Sequence, residues 1–173
     1  IRRMMKYNFA AFILTHGRPE HVYTYKTLRS QGYTGKIYIV IDDEDPTENE
    51  YRKKFGTEVV QFSKTEIGKT LDLGDNFVDK RGVIIYARNA CFELAKQLGV
   101  EYFIELDDDY TNFSFRFNEK LDFKAKTIKN LDRIFEIMVN FYNACGEKCI
   151  TFAMAQGVDF IGGGAGTYGK EIA

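Results

Sequence analysis

The chain has 173 residues, of which 45% are hydrophobic and 15% aromatic, so it suits one globular domain with a substantial core and is not a disordered chain. A formal net charge of −1 excludes a generally basic nucleic-acid-binding protein, although a local basic patch is compatible with it. Three cysteines without paired metal-ligand spacing and only two histidines indicate reduced thiols in a cytoplasmic protein and argue against an all-protein zinc site. No apolar run approaches membrane-spanning length, and no signal peptide is recognisable.

The first half of the chain alternates short apolar runs with amphipathic segments. Residues 7–14 predict a strand, and Pro19 suits the first turn of a helix that ends near Gln31. A second strand, 36–41, runs into a cluster of acidic residues at 42–45. A surface helix at 47–55 and a third strand at 58–62 follow.

The segment 63–81 is polar and long, which is typical of a lid that is mobile without ligand and orders over it. A helix is predicted at 82–98 and a short apolar strand at 102–106, followed by three consecutive aspartates. The alternating run 112–117 predicts an antiparallel edge strand, and 127–145 carries apolar residues at helical spacing. A further strand at 148–155 precedes a glycine-rich stretch, 157–169, and both ends of the chain look cut.

This order of elements predicts an α/β fold whose mostly parallel sheet has helices on both faces. The polar ends of three strands then fall at the same sheet edge, where ligands bind in open α/β sheets. Two of them are acidic and the third carries Thr15 and Arg18.

The aspartate triplet is the strongest candidate for a metal site. Three adjacent carboxylates repel one another and cannot lie in a dry core, so they must emerge at the sheet edge. Because alternate residues of an extended chain face the same way, Asp107 and Asp109 can converge on one point. Such a pair suits Mg²⁺ or Mn²⁺, with water and phosphate oxygens as further ligands. The alternative is a solvated acidic turn.

Three motifs in this order resemble the GT-A glycosyltransferases, most closely those of family two. They are Asp42-Asp43 after the second strand, Ala87-Arg88-Asn89 in the helix that Gly82 opens, and Asp107-x-Asp109. The resemblance covers residues 9–111 and implies a GT-A-like, Rossmann-like single domain over 1–173. It implies transfer of a hexose or pentose from a nucleoside-diphosphate sugar, most simply a UDP-sugar, to an acceptor hydroxyl.

Through that resemblance, Thr15 and Arg18 border the nucleotide and Asp42 accepts a hydrogen bond from its base or ribose. Arg88 and Asn89 approach the nucleotide or diphosphate. Alternatively, Arg88 is an ion-pair partner on the helix surface, and Asn89 is a local cap or a packing residue. Asp107 and Asp109 hold Mn²⁺ or Mg²⁺. The expected nucleotide-sugar site therefore comprises Thr15, Arg18, Asp42, Asp43, Arg88, Asn89, Asp107 and Asp108.

A narrower resemblance concerns the acceptor. Gln156-Gly-Val-Asp-Phe-Ile-Gly-Gly, with the His-Gly-Arg-Pro opening at 16–19, is similar to phage-type transferases that glycosylate hydroxymethylated pyrimidines in DNA. A basic stretch interleaved with phenylalanines could grip phosphates and stack bases, or be a solvated surface. Its basic residues are Arg116, Lys120, Lys124, Lys126, Lys129 and Arg133.

Asp159 is the candidate general base if transfer inverts the anomeric configuration. It follows the predicted strand at 148–155, which should neighbour the aspartate-bearing strand, and glycines on either side would let the chain bend toward the donor. Asp159 would otherwise cap a turn.

Two other functions fit parts of the pattern. Asp107-x-Asp109-x-Thr111 resembles the motif of haloacid-dehalogenase-type phosphatases, but the later acidic pair which that family needs is missing. A non-catalytic domain that binds a nucleotide or a partner protein is the second alternative.

Overall fold

A four-stranded, all-parallel sheet lies at the centre of the molecule. The computed structural model describes residues 5–72, 84–120 and 122–154. Within them the strands are β1 (Phe9–Leu14), β2 (Lys36–Asp42), β3 (Val59–Phe62) and β4 (Tyr102–Asp107). Their order is β3-β2-β1-β4, so β1 and β2 are central and the helical crossovers predicted from the sequence are present. The GT-A-like, mostly parallel α/β fold is thereby confirmed.

Helices cover both faces of this sheet, and the alternation of β1 shows why. Phe9, Ala11 and Ile13 point into one apolar cluster, and the intervening Ala10, Phe12 and Leu14 point into another. All six side chains are nearly inaccessible to solvent, so β1 reads as a continuous apolar run because it is buried on both faces.

The first cluster is completed by α1 (Tyr23–Ser30), α2 (Glu48–Phe55) and α5 (Leu131–Cys145). The second is completed by α3 (Lys64–Gly68) and α4 (Ile85–Gln97). Pro19 opens a short 3₁₀ turn ahead of α1, as its fixed φ favours. The Asn130 side chain caps α5 by accepting a hydrogen bond of 3.1 Å from the Arg133 amide.

A separate antiparallel hairpin is formed by β5 (Ser114–Phe117) and β6 (Phe123–Thr127). The base of this hairpin is held by the buried side chain of Gln31, whose amide nitrogen donates to the carbonyls of Phe113 (2.7 Å) and Ile128 (2.6 Å). The Gln31 side-chain oxygen accepts from the Phe113 amide at 2.8 Å. The predicted edge strand therefore exists, but it pairs with β6 and not with the main sheet.

Two predicted elements differ from the structure, and part of a third lies outside the described residues. Residues 123–127 form β6, so the last helix begins at Leu131 and not at 127. Residues 64–68, predicted to be irregular, form α3, because Lys64 and Ile67 are buried. The rest of the predicted lid, from 73 on, lies outside the described residues.

The predicted strand at 148–155 is wrong for its described part: residues 149–154 have no strand structure, and among the described strands β4 pairs with β1 alone. Within the described ranges no strand pairs with these residues to satisfy their backbone groups in a sheet. No helix in the described ranges is long and apolar enough to cross a membrane.

Candidate active site

The carboxyl ends of β1, β2 and β4 meet around one cleft of about 390 Å³. In a parallel sheet these ends lie side by side, and the loops that leave them supply the polar lining. The apolar floor comes from the second core cluster and includes Leu14, Phe62 and Tyr86. The polar and charged residues that line the cleft are Thr15, His16, Arg18, Asp42, Lys64, Asp107 and Asp109.

The middle aspartate of the triplet organises the wall of the cleft from within. Asp108 is 1% exposed and accepts hydrogen bonds from the Thr15 hydroxyl at 2.6 Å and from the Arg18 guanidinium at 2.7 Å. Thr15 donates its only hydroxyl proton to Asp108, so the Tyr51 hydroxyl must donate to Thr15 across their 2.8 Å contact. The Arg18 amide in turn donates to Tyr51 at 2.9 Å. These four residues therefore form one closed, directional network.

Asp42 ends β2 as a buried carboxylate with three described partners. Its Oδ1 lies 3.1 Å from the Lys64 ammonium and accepts from the Glu44 amide at 3.0 Å, while its Oδ2 lies 2.7 Å from His16 Nδ1. Lys64 is itself 7% exposed, so the pair is a buried ion pair that ties α3 to the end of β2. A carboxylate has about four acceptor positions, which leaves Asp42 one for a further donor.

The loop between β1 and α1 is held by Asp45. This side chain accepts from the Gly17 amide at 2.8 Å and from the amide and hydroxyl of Thr47 at 2.8 and 2.7 Å. Burial acts to raise the pKa of Asp45, but the hydrogen bonds from Thr47 and Gly17 outweigh it and hold that pKa below its ordinary value. Gly17 has φ +68°, a conformation that glycine adopts without steric cost, and it carries the chain into the cleft wall.

The outer aspartates face the open cleft. Asp107 is half-exposed, and its oxygens lie 3.3 Å from the Arg88 guanidinium and 3.3 Å from the Tyr110 hydroxyl. Arg88 also approaches Glu105 at 3.5 Å. Burial raises the pKa of Glu105, and the nearby Arg88 opposes that rise. Asp109 is exposed, and it lines the same cleft as Asp107.

A family model for TET-associated glycosyltransferases matches residues 9–169. The chain belongs to this family. The match spans every described strand and helix of the fold, which makes this chain a glycosyltransferase, as the resemblance had implied. Searches of curated proteins and of solved structures give no match.

Of the eight residues predicted to bind the nucleotide sugar, four line the cleft of this TET-associated glycosyltransferase. Asp108 and Arg88 contact two of these four, Arg18 and Asp107 respectively, and the remaining two lie differently. The Asn89 side chain donates to the Ile85 carbonyl one turn earlier in its own helix at 2.8 Å, which is a local contact within α4. Asp43 accepts from the Lys64 amide at 3.0 Å and so helps to start α3. Neither side chain lines the cleft, whereas Thr15, Arg18, Asp42, Asp107 and Asp109 do.

Three functional candidates were missed in the sequence. Lys64 and His16 reach Asp42, and Glu105 faces Arg88 from within β4. A lysine in a polar segment gives no sign that it will be buried. Glu105 carries a detectable signal, because a carboxylate inside an otherwise apolar strand needs a partner.

Asp107 and Asp109 fit a divalent cation that completes its shell with water and ligand oxygens. Both line the cleft, both are accessible, and the hard oxygen donors are those which Mg²⁺ and Mn²⁺ prefer. Within the described ranges, no three His, Cys, Asp or Glu residues are grouped so as to enclose a metal ion by themselves. The residues thus suit an open site that shares its ion with a ligand.

Proposed function

We propose that this protein is a metal-dependent glycosyltransferase that takes its sugar from a nucleoside-diphosphate sugar, most simply a UDP-sugar. The observation that carries the proposal is the placement of Asp107 and Asp109 on one cleft at the ends of β1, β2 and β4, with Arg88 3.3 Å from Asp107. When bound there, Mn²⁺ or Mg²⁺ supplies positive charge to the leaving diphosphate. The family match favours glycosyl transfer over the phosphohydrolase alternative.

The chain's own residues divide the remaining tasks. Arg88 is 45% exposed and shared between two carboxylates, so its guanidinium can also reach a phosphate oxygen. Arg18 is 55% exposed, and Asp108 fixes its position at the cleft wall. The free acceptor position of Asp42 suits a ribose hydroxyl or a base N–H, and His16 beside it is half-exposed toward the cleft.

The metal and donor site is tested by Asp107→Asn and Asp109→Asn. Each removes one charged oxygen ligand, so calorimetric binding of UDP in Mn²⁺ should weaken at least about tenfold and lose its dependence on the metal. Glu101→Gln is the matched control, because Glu101 is an exposed carboxylate just before the opposite end of the same strand. UDP binding in Mn²⁺ that survives both substitutions would refute the proposed site.

For the acceptor, we propose the hydroxyl of a hydroxymethylated pyrimidine in DNA. The resemblance of residues 156–163 and 16–19 to transferases for such bases supports it, together with the basic hairpin β5–β6. The test is incubation of a duplex containing 5-hydroxymethylcytosine with UDP-sugars and Mn²⁺, followed by mass spectrometry of the nucleosides. A duplex with 5-methylcytosine, which lacks the hydroxyl, is the control. Binding of UDP without any turnover would indicate the non-catalytic alternative.

Asp159 remains the proposed general base for an inverting transfer, and it lies outside the described residues. Asp159→Asn should leave donor binding unchanged and lower transfer by at least about a hundredfold, because general-base catalysis contributes that much or more. Full transfer activity in a folded Asp159→Asn protein would remove this residue from the site.

A further inference from the structure

The segment 112–130, which consists of the hairpin β5–β6 and its flanking residues, has the opposite charge from the rest of the molecule. Residues 112–130 contain five basic and two acidic side chains, so this segment carries +3, and the remainder of a chain whose net charge is −1 carries −4. The basic residues are Arg116, Lys120, Lys124, Lys126 and Lys129. A local positive field on an acidic protein directs a polyanion to one place.

The lysines of the hairpin, and Lys129 just after it, are available to an external partner. Lys120, Lys124, Lys126 and Lys129 are all exposed, and in the ranges that the structure describes none of their ammonium groups lies within ion-pair distance of a carboxylate. Elsewhere on the surface, Lys54, Lys69 and Lys96 each reach a glutamate at 2.6–2.9 Å, whereas Lys26, Lys36 and Lys53 are exposed without an ion pair among the described residues. What distinguishes the lysines at 120–129 is therefore that they are clustered.

One face of the ribbon combines charge with an apolar surface. Phe115 pairs with Lys126 in the antiparallel register, so both side chains lie on the same face. The Phe115 ring is 47% exposed, although it is large and apolar. Exposed residues on both β5 and β6 leave this face of the ribbon outside the apolar core and accessible to a partner.

The hairpin starts next to the candidate metal ligands. Asp109 and Ser114 are only five positions apart in the chain, so the two Cα atoms are at most about 18 Å apart. Tyr110 links the two places: its hydroxyl lies 3.3 Å from Asp107, and its ring packs edge-on against Phe113 at 6.0 Å. The three hydrogen bonds of Gln31 fix the base of the hairpin. The ribbon thus projects from a rigid base close to the cleft.

We propose that the β5–β6 hairpin docks in the major groove of duplex DNA and places the acceptor base at the cleft; this rests on the proposed DNA acceptor. The major groove is about 12 Å wide and admits a two-stranded β-ribbon. The C5 substituent of a pyrimidine projects into that same groove, so ribbon and cleft approach the duplex from one side. Lys124, Lys126 and Lys129 contact phosphates, and Phe115 contacts the apolar base edges.

The test is Lys124→Gln/Lys126→Gln/Lys129→Gln, with fluorescence anisotropy of a labelled duplex between 50 and 200 mM salt. Each lost phosphate contact should lower the slope of log K against log salt by about 0.9, and affinity should fall at least about tenfold. Replacement of the same lysines by Arg retains the charge and should restore both quantities. This rescue separates loss of charge from misfolding.

The matched control is Lys26→Gln/Lys36→Gln/Lys53→Gln, which removes the same charge from exposed positions on α1, β2 and α2. Its salt slope should equal that of the wild type. Equal losses in the two triple variants, or a hairpin variant with an unchanged slope, would overturn the docking proposal.

Transfer assays distinguish a failure of the docking proposal from a failure of the proposed function. The wild-type protein is given a duplex and the free 5-hydroxymethyl nucleoside, which has no phosphate backbone. The hairpin variant should lose at least about ten times more activity on the duplex than on the nucleoside. If the wild type modifies neither acceptor, the proposed acceptor is wrong, and the anisotropy slopes still decide whether the hairpin binds DNA.

Discussion

The substitution Asp108→Asn tests how much the hydrogen-bond network in the cleft wall contributes to stability. Asp108 is buried and accepts from Thr15 at 2.6 Å and from Arg18 at 2.7 Å. A hydrogen bond to a buried charged group is worth about 1.5–3 kcal/mol, and the Arg18 pair adds at most about 1 kcal/mol because that guanidinium is 55% exposed. Asparagine keeps one acceptor oxygen, so we expect a net loss of about 2–3 kcal/mol in the free energy of unfolding.

The direction of the network makes this loss hard to avoid. Asparagine presents NH₂ to either Thr15 or Arg18, both of which are donors. If the amide faces Thr15, that hydroxyl must reverse and donate to Tyr51, whose own proton then lacks its acceptor. If it faces Arg18, the guanidinium meets another donor.

Urea denaturation gives the free energy, and thermal unfolding should show a decrease in Tm of about 4–12 °C for a domain of this size. Asp109→Asn is the control, because Asp109 is the exposed neighbour and its neutralisation should change stability by less than about 0.5 kcal/mol. Thr15→Val in the Asp108→Asn background should cost less than in the wild type. Equal stabilities of Asp108→Asn and Asp109→Asn would refute this account of the network.

Three further predictions concern the supports of the site. Gly32→Ala should lower the free energy of unfolding in urea by more than about 1–2 kcal/mol, because Gly32 has φ +88° and a Cβ there would lie 2.6 Å from a backbone oxygen. Gly99→Ala is the control: Gly99 has φ +63° but open space around it, so this substitution should show only the conformational cost. Lys64→Met should cost about 3 kcal/mol by leaving buried Asp42 without its cation, and a midpoint in urea unchanged from the wild type would contradict this. Because the pKa of Asp45 is lowered in the folded protein, its carboxylate stabilises the fold fully above the ordinary aspartate pKa of about 4, and this stabilisation is lost as pH falls through the folded-state pKa. The stability of Asp45→Asn should therefore decrease less steeply below pH 4 than that of the wild type.

The sequence was informative wherever a local pattern has one physical outcome. The apolar run at 9–14 must be buried on both faces, and Pro19 must start a turn. The expectation that all three carboxylates at 107–109 leave the core holds for Asp107 and Asp109 but is wrong for Asp108, which is buried because Thr15 and Arg18 donate to it. Because parallel strands align their carboxyl ends, the meeting of three polar strand ends followed from the order of strands and helices alone. The assignment to a glycosyltransferase came from the resemblance of three motifs, in that order, to a known family.

Tertiary structure alone decided which residues of each motif face the cleft and which make only internal contacts that stabilise the fold. Asp108 is bound by Thr15 and Arg18 inside the wall, while its two neighbours line the opening. Lys64 stands in a polar segment whose composition predicts a solvated loop, and only the closure of α3 on the end of β2 buries it against Asp42. Such pairs join positions far apart in sequence, and neither member alone carries a sign of its partner, so burial and charge compensation are settled only when the chain has folded.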